Sequence, residues 1–359
     1  MMFPTRFLPI AISLALSGSG AAVCVSPNLM APDGSPCVAT IQAAIYSPDT
    51  AIIVYSGVYN ETGLVLGPGR SLTGWPGAVS PPVIHGSPGT ITLQATCPTT
   101  VRNLELQSGR PNGTALKIVQ TCSNQQVNLH NLTILAQGSD SEGIELSGPA
   151  VPLEVSCPPP PSPNSFVSTA GAYLHNLRIS SKFVTSTTRG FVIDTPSEFE
   201  LSDPIITVIG NGVGIDLIRA PGYVSNFWSG AIHVKDGAIG LRRAASGSMR
   251  LSGVAFVSDD APGGQACSSG GRCFIKETGG NSALSLVASG LNDDSCRNVF
   301  THAPKIDGSH WRGSCVPFPC PQQACGTQDA EVCGAHWFDT GTGQDKICTA
   351  QGWKVVTTQ

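Results

Sequence analysis

Short runs in which apolar and polar residues alternate fill most of the chain between residues 50 and 300. The first of them lie at residues 51–55, 63–66 and 90–93. Alternation with a period of two is typical of strands that bury one face. Helical periodicity is confined to residues 40–45, where Thr40 is a suitable N-cap for one short helix. The pattern predicts an all-β protein in which no helix exceeds about three turns.

Two short motifs recur within this region. The first places an Asn after an apolar and a polar residue, and it occurs at residues 101–106, 129–134 and 174–179. The second starts with Gly and continues into an apolar strand, at residues 113–118, 143–146, 214–217 and 237–241. Such recurrence, with strands and no helices between the copies, predicts a solenoid of stacked coils. Because the spacing is irregular, loops of different lengths must leave the coils at their corners.

The recurring Asn is interpreted as structural. Asn103, Asn131 and Asn176 fall at the same place in their motifs. An Asn at one place in every coil can satisfy backbone groups at a bend and bond to the next Asn, one strand spacing away. A catalytic role for these residues is not expected.

The first coils resemble the opening of the pectin-lyase-like β-helix superfamily. The resemblance rests on residues 40–45, on Ile-Ile-Val-Tyr-Ser-Gly-Val-Tyr-Asn-Glu at 52–61, and on residues 70–74 and 82–86. The resemblance extends over residues 38–300. The superfamily includes pectate lyases, pectin methylesterases and polygalacturonases. The resemblance implies a right-handed parallel β-helix with a groove along the strands that holds an extended polysaccharide.

The N-terminus has the features of a signal peptide, predicted to cover residues 1–22. Arg6 is the only charged side chain before the apolar run at residues 7–16, and small residues follow it up to Ala22. Cys24 leaves a lipid anchor open as an alternative, although Val23 stands where a lipobox needs a small residue. No later segment is apolar over a length that spans a bilayer. The protein is therefore expected to be secreted, at the cell surface or in the periplasm.

The expected organisation has two parts after the signal peptide. The parallel β-helix, with its short N-terminal capping helix, is predicted to cover residues 23–313. Residues 314–359 hold five cysteines and are predicted to form a small Cys-rich β module that caps the solenoid or docks to a partner.

The composition of the chain argues against nucleic acid as a partner and indicates that the cysteines form disulfides. Charged residues make up 12% of the chain and the net charge is −4, which argues against nucleic acid as a partner because such binding rests on Lys and Arg. Thirteen cysteines without a Cys-x-x-Cys pair indicate disulfides, so no metal site is predicted.

Three pairs of cysteines are expected to form disulfides. Cys97, Cys122 and Cys157 each end a similar five-residue segment, which predicts a Cys97–Cys122 bridge between stacked coils and leaves Cys157 as the odd thiol. Cys24 is expected to pair with Cys37, and Cys267 with Cys273, closing small loops.

Most catalytic elements of the superfamily are missing from this sequence. Residues 57–61 fit the Gly-x-Tyr-x-Glu element of pectin methylesterases, but the two catalytic aspartates, the Gln-Asp-Thr segment and the Arg-Pro-Trp segment of that family have no match. The Gly-His-Gly of polygalacturonases is absent. The calcium-binding acids and the Arg-x-Pro-x-x-Arg element of pectate lyases are also not found.

The candidate site residues are a mixed-charge group on the late coils and a pair of histidines. Adjacent carboxylates are suited to acid–base catalysis or to Ca²⁺, the one cofactor considered, and a basic residue can neutralise a uronate carboxylate. The catalytic candidates are Asp259, Asp260, Lys276 and Glu277, and the substrate-binding candidates are Arg242, Arg243, His130 and His175. His130 and His175 occupy equivalent positions, with Arg102 one coil earlier, so they are predicted to form an outward column.

Two functions stay open at this level. One is a secreted protein that binds or cleaves an extracellular polysaccharide or cell-surface glycan, as a polysaccharide lyase or glycoside hydrolase if it is an enzyme. The other is a non-catalytic surface, adhesion or structural scaffold, which the missing motifs and the low charge favour.

Overall fold

The computed structural model describes most of the first half of the chain and shorter segments of the second half. The described residues are 22–119, 127–148, 171–181, 187–194, 198–219, 225–235, 238–243, 249–252, 254–258, 273–277, 284–287, 290–293, 305–307, 310–313, 336–339, 342–349 and 351–356. They contain one short helix and two sheets, one of 22 strands and one of eight.

The strands of both sheets follow one another in a regular alternation along the chain. The eight-stranded sheet consists of β4 (Leu64–Leu66), β7 (Ile91–Thr96), β10 (Thr114–Val119), β12 (Glu142–Ser147), β14 (Arg189–Asp194), β17 (Val213–Arg219), β20 (Ile239–Arg243) and β23 (Cys273–Glu277). The larger sheet consists of β1 (Ala22–Val25), β2 (Ala51–Val54), β3 (Val58–Asn60), β5 (Arg70–Gly74), β6 (Val83–His85), β8 (Thr99–Arg102), β9 (Glu105–Gln107), β11 (Val127–Ala136), β13 (Gly171–Ser181), β15 (Glu198–Ser202), β16 (Ile205–Ile209), β18 (Ser225–Trp228), β19 (Ala231–Lys235), β21 (Met249–Ser252), β22 (Ala255–Ser258), β24 (Leu284–Val287), β25 (Gly290–Asp293), β26 (Lys305–Asp307), β27 (His310–Gly313), β28 (His336–Asp339), β29 (Gln344–Thr349) and β30 (Gly352–Val355).

Apart from β29 and β30, the described strands pair in parallel with the equivalent strands of the neighbouring coils. Val101 lies opposite Leu129, and Leu129 opposite Leu174, in the register that the Asn motif predicts. In the eight-stranded sheet, β7, β10, β12 and β14 pair in the same parallel way. The predicted parallel β-helix is therefore confirmed by the strand pairing of the chain itself.

A left-handed residue turns the chain within the larger sheet of successive coils. Asn103, Asn131, Asp203 and Ser229 have φ angles of 57°, 52°, 52° and 50°. Asn and Asp tolerate this conformation better than most residues. The Asn131 side-chain amide donates to Asn103 Oδ1 at 3.2 Å, which supports the structural interpretation of these two residues. The side chain of Asn176 lies outside the described residues.

The interior of the coils is apolar along its length. At least one fully buried side chain per coil comes from each sheet, and burial of such a side chain contributes about 1.5–3 kcal/mol. The larger sheet supplies Leu72, Val101, Leu129, Leu174, Leu201 and Phe227, and the eight-stranded sheet supplies Leu64, Leu93, Leu116, Ile144, Phe191, Ile215 and Leu241.

Glycines stack where the eight-stranded sheet comes closest to the larger one. An added Cβ at Gly143, Gly190 or Gly214 would lie 2.4, 2.6 or 2.6 Å from the carbonyl oxygen of the following glycine in the stack, the last of which is Gly240. The glycine motif thus has a steric cause. Its predicted alignment was wrong at two copies, since the equivalent of Gly143 is Ala115 and not Gly113, and the equivalent of Gly214 is Gly240 and not Gly237.

A single helix, α1 (Ile41–Ile45), follows the first strand, where the sequence predicts it. Thr40 Oγ1 accepts from the Ala43 amide at 3.1 Å, and Ile41 and Ala44 are fully buried in the core. The Glu61 carboxylate accepts from the Ile41 and Gln42 amides at 2.7 and 2.8 Å. Within the described part of the chain no helix is long and apolar enough to span a bilayer.

The Gly-x-Tyr-x-Glu element at residues 57–61 is structural in this chain. The Tyr59 hydroxyl donates to the Tyr55 carbonyl oxygen at 2.9 Å, and burial, with a smaller effect of Glu61, raises the pKa of Tyr59 to about 12. Both Tyr59 and Glu61 therefore bind backbone groups near α1.

Replacing Glu61 by alanine is expected to lower the free energy of unfolding by about 1–2 kcal/mol, because two amides of α1 lose their acceptor. Urea unfolding followed by circular dichroism measures the loss. The exposed Glu200 provides the control, and its replacement by alanine should change stability by less than about 0.5 kcal/mol. Equal losses of unfolding free energy in the two variants would show that Glu61 does not stabilise the N-terminus of α1.

The N-terminal disulfide joins Cys24 and Cys37, the pair that the sequence predicts, with 4.8 Å between their Cα atoms. Cys97 is buried and disulfide-bonded. Its expected partner Cys122 lies outside the described residues, as do Cys157 and Cys267, so the Cys97–Cys122 and Cys267–Cys273 pairs stay predictions.

The register expected for Cys97 and Cys122 is wrong by two residues. Their five-residue segments align Leu93 with Ile118, whereas the strand register places Leu93 opposite Leu116. Cys97 thus comes four residues after Leu93 in the sequence, and Cys122 six residues after Leu116.

The last described strands extend the larger sheet. β28 pairs in parallel with β27, and β29 and β30 add to it as an antiparallel hairpin. Lys346 Nζ lies 2.6 Å from Asp339 Oδ2, and this hydrogen bond, with that of Thr342, lowers the pKa of Asp339 to about 2. An ion pair thus connects β28 and β29. The domain boundary at residue 313 stays a prediction.

Candidate functional site

The outer face of the eight-stranded sheet carries charged side chains in two adjacent rows. One row runs through Lys117, Glu145, Val192, Asp216, Arg242 and Lys276, one residue per coil. The neighbouring row includes Thr114, Glu142 and Arg189. The charged face is defined here as Lys117, Glu142, Glu145, Arg189, Asp216 and Arg242.

Local sequence explains why these side chains share one face. In β12, Gly143 and Ile144 both turn towards the interior, so Glu142 and Glu145 on either side of them face outwards. In β17 and β20 the residue after each buried Ile215 or Leu241 is charged. Strand alternation therefore points these side chains away from the core, where all of them except the buried Asp216 are partly exposed.

Ion pairs connect the members of the charged face across coils. Lys117 Nζ lies 2.7 Å from Glu145 Oε1. Arg189 contacts the Glu142 carboxylate through Nη2 and lies 3.5 Å from Asp216 Oδ2 through Nη1. Arg189 thus bridges two carboxylates on different coils.

Asp216 is the most deeply placed charge of this face, with 1% of its surface exposed. Arg242 donates to Asp216 Oδ1 through Nε at 2.8 Å and to Oδ2 through Nη2. A buried carboxylate requires such pairing, because its transfer from water is costly. The hydrogen bond to Asp216 also raises the pKa of Arg242.

Glu142 has the environment of a weak acid. Burial raises the pKa of Glu142, although the positive charge of Arg189 opposes this effect. Thr114 Oγ1 donates to Glu142 Oε2 at 3.4 Å. The face therefore combines a carboxyl group that retains its proton more readily than usual with guanidinium donors held in fixed directions.

The structure brings some of the predicted site residues together. Arg242 belongs to the charged face, and Arg242 and Arg243 lie opposite Lys276 and Glu277 on the next strand. The side chains of Arg243, Lys276 and Glu277 are outside the described residues. Asp259 and Asp260 also lie outside them, so a catalytic role for this group stays untested.

Five members of the charged face were not among the predicted site residues: Lys117, Glu142, Glu145, Arg189 and Asp216. The signal was present in the recurring glycine motif, where Glu145 and Asp216 follow equivalent buried residues. The motif did not place Arg242 correctly, because aligning Gly237 with Gly214 sets Ile239 opposite Asp216, whereas the strand register sets Arg242 there.

The histidine column forms on the other sheet. Arg102, His130 and His175 lie opposite one another on three successive coils, which confirms the predicted alignment. Since they belong to the larger sheet, they are not part of the charged face.

Metal binding has no structural support in the described part of the chain. Those residues contain no group of three or more His, Cys, Asp or Glu side chains placed to hold an ion. The Ca²⁺ considered with Asp259 and Asp260 stays untested, because both residues lie outside that part.

Comparisons with known proteins give only structural matches. No protein-family model matches the sequence, and no curated protein matches it significantly. A pectin methylesterase in complex with a hexasaccharide is 12% identical with a TM-score of 0.42, covering 76% of this chain and 78% of that one. Pectin methylesterase PemA from Erwinia chrysanthemi is 11% identical with a TM-score of 0.42, covering 79% and 94%. The Escherichia coli protein YbhC is 13% identical with a TM-score of 0.39, covering 80% and 76%.

Proposed function

We propose that this chain is a secreted protein whose charged face binds an extended extracellular polysaccharide. The observation that carries the proposal is the ladder of paired charged groups on the outer side of the eight-stranded sheet, where Lys117, Arg189 and Arg242 are partly exposed. Successive groups are separated by about one strand spacing, roughly 4.8 Å, which is comparable to the length of a sugar unit. A linear glycan laid across the strands would meet one set of polar groups per coil.

The chemistry of these groups suits sugar hydroxyls. Carboxylates accept and guanidinium groups donate two parallel hydrogen bonds, the pattern that vicinal hydroxyls offer in return. Because the ion pairs already hold Glu142, Arg189 and Asp216 in place, little side-chain freedom is lost on binding. Export is supported by the Cys24–Cys37 disulfide, since such bonds persist in oxidising compartments.

A non-catalytic scaffold is the second candidate. Each of the six charged groups has a partner of opposite sign within the face. In this second function the ion pairs hold neighbouring coils together and the face binds no ligand. The two functions differ in whether the face has a ligand.

A panel of neutral and uronate polysaccharides tests the proposal, with calorimetry for binding and with assays for new reducing ends and unsaturated products for cleavage. The double variant Lys117→Gln/Glu145→Gln should weaken binding about tenfold or more, because it removes donors and an acceptor from the face. The control is Lys235→Gln/Glu200→Gln, which makes the same charge changes at exposed positions of the larger sheet. Unchanged affinity in the first variant would show that the polysaccharide binds outside the charged face. If the parent protein binds no polysaccharide of the panel, the scaffold function is supported instead.

A further inference from the structure

The larger sheet presents a second ordered set of polar groups on its outer side. Arg102, His130 and His175 lie in register on three successive coils, next to the left-handed bend. They are named the basic row. Arg102 is exposed and both histidines are partly exposed, with 6.0 Å between the centroids of the two rings.

Hydrogen bonds hold the ends of the basic row. Arg102 Nε donates to Thr73 Oγ1 at 3.1 Å, a bond that uses one of the five guanidinium N–H groups. At the other end, His175 Nδ1 lies 3.1 Å from Ser202 Oγ and 3.6 Å from Asp203 Oδ2. The row is therefore positioned by the fold, and the Asp203 carboxylate lies at its far end.

The described charges around the row come from both sides of the bend. Glu200 lies on the adjacent outward row of the same sheet face, and Glu105 and Arg178 lie on the row beyond the bend. The Glu105 carboxylate accepts from the Gln107 amide. With both histidines protonated, the row itself carries three positive charges beside the one negative charge of Asp203.

We propose that the basic row binds the acidic groups of an anionic polysaccharide when His130 and His175 are protonated. This site lies on a different sheet from the charged face and does not depend on the function proposed there. Its three cations are spaced by about one strand, roughly 4.8 Å, so a linear polymer with an acid on each unit can contact several of them.

Proton uptake and binding are coupled at such a site. Burial lowers the pKa of His130, and the positive charges of His175 and Arg102 lower it further. An anion beside the ring opposes these effects and favours the protonated form. Because the pKa of His130 is lowered, affinity should be highest at acidic pH, below that lowered pKa, and should fall as the pH rises and the ring loses its proton.

Calorimetry with oligogalacturonate and with dextran sulfate, at pH 5 and pH 7.5 and constant low salt, tests the proposal. The two polymers distinguish a carboxylate site from a sulfate site. Binding of the preferred polymer by the folded full chain should be at least about tenfold tighter at pH 5. The neutral methyl ester of the oligogalacturonate should bind no better at pH 5 than at pH 7.5.

Variants assign the effect to the row. His130→Gln/His175→Gln should reduce the affinity at pH 5 to the parent's value at pH 7.5, while His85→Gln/His233→Gln, the same change beyond the bend, should leave it unaltered. Arg102→Gln should weaken binding at both pH values while the affinity still falls from pH 5 to pH 7.5, which gives a second test if the double variant is unstable. Lys117→Gln/Glu145→Gln should retain the pH dependence, separating this site from the charged face. A pH-independent affinity in the parent, or an unchanged pH dependence in His130→Gln/His175→Gln, would overturn the proposal.

Discussion

Replacing Gly214 by alanine is expected to lower the free energy of unfolding by about 3 kcal/mol. The added Cβ would lie 2.6 Å from the carbonyl oxygen of Gly240 and 3.4 Å from Cγ2 of both Ile206 and Ile232. The Gly240 oxygen is backbone within a paired strand, so it cannot move away without disturbing the register of the next coil. The stack of coils must therefore separate locally or the strand must shift.

Urea unfolding of Gly214→Ala against the parent measures this loss. Gly67→Ala is the matched control, because its added Cβ meets no atom within 4 Å and its backbone is not left-handed. The control should be neutral or more stable by up to about 1 kcal/mol, since alanine restricts the unfolded chain. If both variants unfolded at the same denaturant concentration, close contact at the glycine stack would not limit the spacing of the coils.

The architecture could be predicted because the same short sequence motif recurs in successive coils. Val101, Leu129 and Leu174 each start a motif whose alternation buries one side, and in the first two copies the following Asn is left-handed. Every copy points to the same conformation, so local preference and global fold agree. The short helix at Thr40 was predictable for a similar reason, since its N-cap lies next to it in sequence.

The charged face was not predicted because it depends on which residues become neighbours across coils. Arg189 meets both Glu142 and Asp216, and these three residues lie on three different strands of the sheet. Irregular loops separate those strands, and the number of residues in each corner cannot be read from alternation. The two-residue error between Cys97 and Cys122 has the same origin. Strand identity is thus local information, whereas register across variable corners is not.

Asp216→Ala is expected to lower the free energy of unfolding by about 2–4 kcal/mol, because it leaves two guanidinium groups facing a buried position without their carboxylate. Removal of one partner from a fully buried ion pair lowers the free energy of unfolding by about 3–5 kcal/mol. The side chains of Arg189 and Arg242 are 29% and 36% exposed, so each can recover part of its hydration. The loss should therefore fall below the upper end of the range for buried ion pairs.

Glu145→Ala is the control on the same face, since it also removes one carboxylate but from a pair with side chains 25% and 20% exposed. It should cost less than about 1 kcal/mol. A double-mutant cycle with Arg242→Ala then isolates the pair, and Asp216→Ala should cost less in that background by about 1–2 kcal/mol, because one of the two unpaired cations is already gone. Additive effects of Asp216 and Arg242 would mean that their contact contributes nothing measurable. Equal losses for Asp216→Ala and Glu145→Ala would show that the burial of Asp216 does not set the stability of this face.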